Sequence, residues 1–133
     1  MDARLDPAAA YGIDLGDAHV IRNAGGSARD ALRSLVVSQQ LLGTQEVLVI
    51  KHTGCGMQIF TNEDAKELVK KNLGDAGIAE LSAFKEDFLT LGNLEEETKK
   101  DVQWIRDNKA IPESVAVSGW IYEVETGKVR RVV

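Results

Sequence analysis

VLVIKHTGCGMQ, residues 47–58, is an apolar run that ends in a lysine, a histidine and a cysteine set between two glycines. Four successive apolar residues leave neither face polar, as in a parallel strand covered by helix layers. The stretch therefore predicts a buried strand over Glu46–Lys51. A tight turn at Thr53-Gly54 follows and brings His52 and Cys55, three residues apart, toward one point. In an open parallel sheet such loops leave the carboxyl ends of the strands, where ligands bind.

Outward from this strand the elements alternate in type. DAHVIRNAGG gives a short strand at Ala18–Arg22, stopped by Gly25-Gly26. Ser27 is an N-cap residue ahead of a helix whose apolar stripe is Ala28, Ala31, Leu32, Leu35 and Val36, and Gly43 ends it. Thr61 with Asp64 approximates a capping box, and Ala65, Leu68 and Val69 form the apolar side of that second helix. Ile78–Asn108 reads as further helices. Leu94–Asn108 is the clearest, with Glu95–Lys99 and Glu96–Lys100 one turn apart, and Pro112 closes the region. SVAVSGWIYEV is a strand, ETGK a turn and VRRVV a last strand, paired as a hairpin. The pattern predicts a three-layer α/β fold: a mainly parallel sheet flanked by helices, with an antiparallel C-terminal edge strand.

The chain has 133 residues, which places one domain over 1–133. It is 44% hydrophobic and 28% charged with two prolines, a globular composition without repeats. The net charge is −5 and its basic residues are interspersed with acidic ones, which argues against nucleic acid or an anionic membrane as partner. One cysteine forms no internal disulfide, so the chain suits a reducing compartment. No apolar run approaches the ~18–20 residues of a membrane helix, and MDARLDPAAAYG has no signal core. The expected location is the cytoplasm.

Zinc takes imidazole nitrogen and thiolate at ~2.0–2.3 Å, and catalytic zinc uses three protein ligands plus water. A buried thiol beside a hydrogen-bonded histidine gives the same spelling, and the spacing alone leaves both readings open. For a third donor the sequence offers carboxylates, Asp2 among them, although a second residue is commonly a disordered terminal acid. His19 reads as structural or exposed. RNAGGS is either a plain tight turn or an anion cradle at a helix N-terminus, and it lacks the fuller phosphate-loop patterns. Trp104 and Trp120 read as core or interface anchors.

MDARLDP, GDAHVIRNAGG, VLVIKHTGCGM and IPESVAVSGWIYEVETGKV, in that order, resemble the β-class carbonic anhydrases, especially the short form of archaea, bacteria and fungi. The likeness runs over nearly the whole chain. In that family zinc is held by a cysteine, then by a histidine and a second cysteine in an HxxC segment. By position His52 and Cys55 match the second and third ligands. Asp2 and Arg4 match the aspartate and arginine of the family's C-x-D-x-R motif, a gating carboxylate and the arginine that pairs with it. The resemblance implies zinc-dependent hydration of carbon dioxide to bicarbonate in a homodimer or larger homo-oligomer.

The motif's first cysteine falls immediately before Met1, and the family's N-terminal helix and first strand precede it. That strand lies between those corresponding to Ala18–Arg22 and Glu46–Lys51. The expectation is a chain shortened at its N-terminus, in which Asp2, His52 and Cys55 are the available zinc ligands and activity is impaired. Two alternatives go with it: a hydrolase of carbonyl sulfide or carbon disulfide on the same scaffold, and a non-catalytic remnant.

Overall fold

The computed structural model describes residues 1–84 and 87–133; the helical reading of Ile78–Asn108 touches residues 85 and 86, which lie outside this set. The elements are α1 (Pro7–Tyr11), α2 (Ala28–Val36), β1 (Glu46–His52), α3 (Asn62–Glu80), α4 (Leu94–Asp107), β2 (Ala116–Glu123) and β3 (Lys128–Arg131). β1 and β2 run parallel, from Glu46 opposite Ala116 to His52 opposite Tyr122. β2 and β3 are antiparallel, from Trp120 opposite Arg131 to Glu123 opposite Lys128. The result is an α/β fold on a mixed three-stranded sheet with β2 in the middle. The predicted antiparallel C-terminal strand is its edge.

Period-two alternation sends Val47 and Val49 of β1 into one core with Ala28, Ala31 and Leu35 of α2 and Val102 and Ile105 of α4. Each valine, leucine or isoleucine among them contributes about 1.5–3 kcal/mol by leaving water. Leu48, on the opposite face of β1, is 49% exposed. Ser27 caps α2 as its sequence predicts, accepting from the Asp30 amide. The helix runs on through a π-helical turn, Val37–Leu41, before Gly43 turns the chain at φ 76°.

Three expectations need correction. Ala18–Arg22 is not a strand: the segment pairs with no other in the sheet. A strand exists only through its ladder, and a β-branched spelling reports a preference without supplying the neighbour. α3 has the predicted capping box of Thr61 and Asp64, but no residue of it is buried. Its Ala65–Leu68–Val69 side has no core beneath it among the described residues; the helix packs mainly on the turn that follows, residues 81–83. On α4 the pairs differ from those expected: Lys100 bonds Glu97 at 2.7 Å, and Glu95 reaches across to Arg130 at 2.8 Å. Helical spacing offers several partners to each charge, and tertiary contacts choose among them. Among the described residues no helix is long and apolar enough to cross a membrane.

Candidate functional site

β1 ends at His52, and the next residues turn back at once. Gly54 has φ 62°, a left-handed conformation that favours glycine. The Thr53 amide donates to the Tyr122 carbonyl at 3.0 Å, so the turn stays fastened to β2. Thr53 Oγ1 donates to Glu125 Oε2 at 2.8 Å and accepts from the Val124 amide at 3.0 Å, which ties the turn to the β2–β3 hairpin.

His52 Nδ1 lies 2.9 Å from the Thr53 carbonyl oxygen. A carbonyl only accepts, so Nδ1 carries the proton and Nε2 is left with its lone pair in the neutral ring. That arrangement prepares an imidazole to act as a ligand through Nε2. Nε2 faces Asp2 Oδ2 across 3.7 Å. Cys55 is buried and free, 5% exposed, close enough for a thiolate there to act electrostatically on both Arg4 and the Met1 ammonium.

Asp2 is engaged on both oxygens. Arg4 donates from Nε and from its own amide to Oδ1, each at 2.9 Å, and from Nη2 to Oδ2 at 2.8 Å. The same Nη2 reaches the Gly54 carbonyl at 3.0 Å, linking the pair to the histidine–cysteine turn. The Asp2 backbone is fixed separately. Arg22 Nη2 donates to the Asp2 carbonyl at 2.8 Å, and the Met1 ammonium donates to the Asn23 carbonyl at 2.9 Å. Burial lowers the pKa of that ammonium, with Arg22 adding to the effect and Asp2 and Cys55 opposing it.

The Arg4 side-chain hydrogen bond, reinforced by the Arg4 amide, holds the Asp2 carboxyl well below the usual carboxylate range. The sign follows from linkage. A carboxyl with a depressed folded pKa gives a contact fully present above its unfolded pKa and lost as pH falls through the folded value. The Asp2 carboxyl carbon, followed by NMR, is therefore expected to show no titration step between pH 7 and about 4, the ordinary aspartate pKa. A step centred near 4 would mean that the Arg4 contact does not persist in solution.

All four residues singled out in the sequence, Asp2, Arg4, His52 and Cys55, thus come together at the end of β1. His19 stays apart, its Nδ1 2.8 Å from Ser38 Oγ. RNAGGS is a tight turn whose amides are already committed: Gly26 donates to the Asn23 carbonyl at 3.5 Å, Ser27 to Asn23 Oδ1 at 2.8 Å and Ala28 to Asp101 Oδ2 at 3.4 Å. Trp104 lies against the core beneath the Arg29 guanidinium, whose carbon is 5.3 Å from the ring centroid. Sequence reasoning missed Arg22, Thr53, Glu125 and Lys51 with its partner Asp101. Lys51 alone left a signal: it continues the inward register of Val47 and Val49.

The donor chemistry of His52 and Cys55 fits zinc, an imidazole with Nε2 free and a sheltered sulfur. Asp2 is the nearest carboxylate but is committed to Arg4. Among the described residues no group of three or more His, Cys, Asp or Glu side chains is arranged to hold a metal ion.

The profile of the carbonic anhydrase family matches residues 1–129. A solved carbonic anhydrase from Glaciozyma antarctica superposes with a TM-score of 0.94 at 47% identity, covering 100% of this chain and 78% of that one. Beta-carbonic anhydrase 1 of Mycobacterium tuberculosis is 35% identical over 99% of this chain and 77% of its own length. A carbon disulfide hydrolase of Acidithiobacillus thiooxidans is 38% identical over 98% of this chain and 72% of its own.

Proposed function

The chain belongs to the β-class carbonic anhydrase family, and from that membership we propose that it hydrates carbon dioxide to bicarbonate with zinc held in part by His52 Nε2 and Cys55 Sγ. The observation that carries the reading is the meeting at the end of β1 of a histidine with its proton on Nδ1, a buried thiol and an arginine-held carboxylate. Zinc, when bound, lowers the pKa of water toward about 7 and makes a nucleophile available at neutral pH.

The chain's own residues do the rest. The Thr53 carbonyl orients the imidazole. Arg4 keeps Asp2 ionised and holds it beside His52 Nε2, where its carboxylate would accept a hydrogen bond from the attacking water and align it. Released from Arg4, Asp2 Oδ2, which lies 3.7 Å from His52 Nε2, would be available as a third donor. Among the described residues only two donors stand uncommitted, so the 133-residue chain by itself is expected to hold zinc weakly, roughly at micromolar affinity or worse, because affinity depends on a complete ligand set.

Stopped-flow hydration measured while zinc is titrated in tests this. The expected result is bicarbonate formation that rises with zinc and saturates late, with turnover below that of relatives. Sulfide release from carbon disulfide or carbonyl sulfide without carbon dioxide hydration would overturn the choice of substrate. Homo-oligomerisation belongs to the same proposal. Exposed Leu41, Leu42 and Leu48 support it, and sedimentation equilibrium reads it.

A further inference from the structure

Lys51 is a cation that the proposed chemistry leaves unused, and its side chain is only 1% exposed. Nζ donates to the Gly25 carbonyl at 3.0 Å, the Gly26 carbonyl at 3.2 Å and Asp101 Oδ2 at 2.8 Å. An ammonium has three protons, and each has an acceptor here. Asp101, on α4, also receives the Ala28 amide at 3.4 Å. The Gly25–Gly26 turn lies hard against β1: a Cβ on Gly26 would come 2.7 Å from the Ile50 carbonyl oxygen.

The same turn carries the site's other half. Asn23 binds the Met1 ammonium and Arg22 binds the Asp2 carbonyl. Lys51 directly precedes His52. Residues 22–26 therefore connect a buried ammonium on β1 to the backbone of Asp2.

We propose that Lys51, held by Asp101, is a positioning residue that sets Asp2 against His52 by docking the Gly25–Gly26 turn onto β1. The proposal rests on the reading of Asp2 and His52 as site residues. A merely structural ion pair would contribute stability alone. A positioning pair governs the turn and the Asp2 segment even when stability is restored.

Three full-length variants separate the two cases: Lys51→Met, Asp101→Asn and the double variant Lys51→Met/Asp101→Leu. Lys51→Met strands a carboxylate and melts early. The double variant removes that carboxylate, and its melting temperature is expected within about 2 °C of the unaltered chain, as apolar replacement of buried pairs commonly gives. Amide exchange at Arg4 and Ser27, read by NMR without metal, is expected at least about tenfold faster in both Lys51 variants, because local opening sets these rates. With saturating zinc, kcat for hydration falls about tenfold while KM stays within about twofold, as when an interaction made only in the transition state is lost. Should Lys51→Met not fold, Asp101→Asn, which leaves Nζ its two carbonyls, is expected to speed the same amides about threefold.

A double variant that regains both its melting temperature and its exchange protection would overturn the proposal, as would unchanged exchange in all three. Absence of hydration by the unaltered chain counts instead against the proposed activity, and the metal-free exchange rates still decide this one.

Discussion

Replacement of Cys55 by serine leaves the fold standing and weakens zinc binding by more than about a hundredfold, since losing even an outer partner of a ligand costs about 10–100-fold. Serine matches the shape of the thiol, and Cys55 is one small group in a sheltered turn. A serine hydroxyl does not ionise near neutral pH, however, so the anionic donor is gone. The competing stabiliser, burial of one sulfur, is worth little next to a metal bond. Competition against a chromophoric chelator reads the affinity, and thermal melting checks the fold. Equal zinc affinity in the serine variant would show that the sulfur is a buried thiol and no donor, and the proposed centre would then lose half of its uncommitted ligands.

That prediction uses residues that were legible in the sequence, and the reason they were legible is local. HTGC places two donors on one tight turn, and the turn is fixed by Gly54 and by the strand before it. β1, α2 with its Ser27 cap, α4 and the terminal hairpin were readable for the same reason, since each announces itself within a few residues. Apart from the choice of Glu97 as the partner of Lys100, the failures are long-range. Ala18–Arg22 has a strand's composition, but pairing is a property of two segments. The stripe on α3 says which residues share a side and nothing about what covers it. Arg22 holds the Asp2 carbonyl across 20 positions, and Lys51 meets Asp101 across 50. No window of ten residues contains either contact. The placement of Asp2 and Arg4 beside His52 came from resemblance to a family, not from spacing.

Gly119→Ala is expected to destabilise the chain by about 2–3 kcal/mol, near the top of the usual range for overpacking. Gly119 sits in β2, the middle strand, directly under α4. An added Cβ would lie 2.6 Å from Thr98 Cγ2, 2.9 Å from Val133 Cγ1 and 3.0 Å from Val102 Cγ2. None of these can step aside cheaply. Thr98 and Val102 are both 0% exposed. The Thr98 rotamer is pinned by its hydroxyl, which donates to the Leu94 carbonyl at 2.6 Å. The glycine backbone cannot retreat either, with its amide on the Val133 carbonyl at 2.9 Å and its carbonyl taking the Val132 amide at 2.7 Å. The helix must therefore lift. Asp101 lies on α4 between the two residues that clash, so lifting the helix also slackens the Lys51 pair and the turn that carries Asp2. A melting temperature lower by about 10 °C is the expected reading for a domain of this size. Gly56→Ala is the control: nothing lies within 4 Å of its added carbon, and its backbone is not left-handed. If Gly119→Ala melts alongside that control, α4 does not press on β2 as described, and the route from Asp101 to the site has no rigid support.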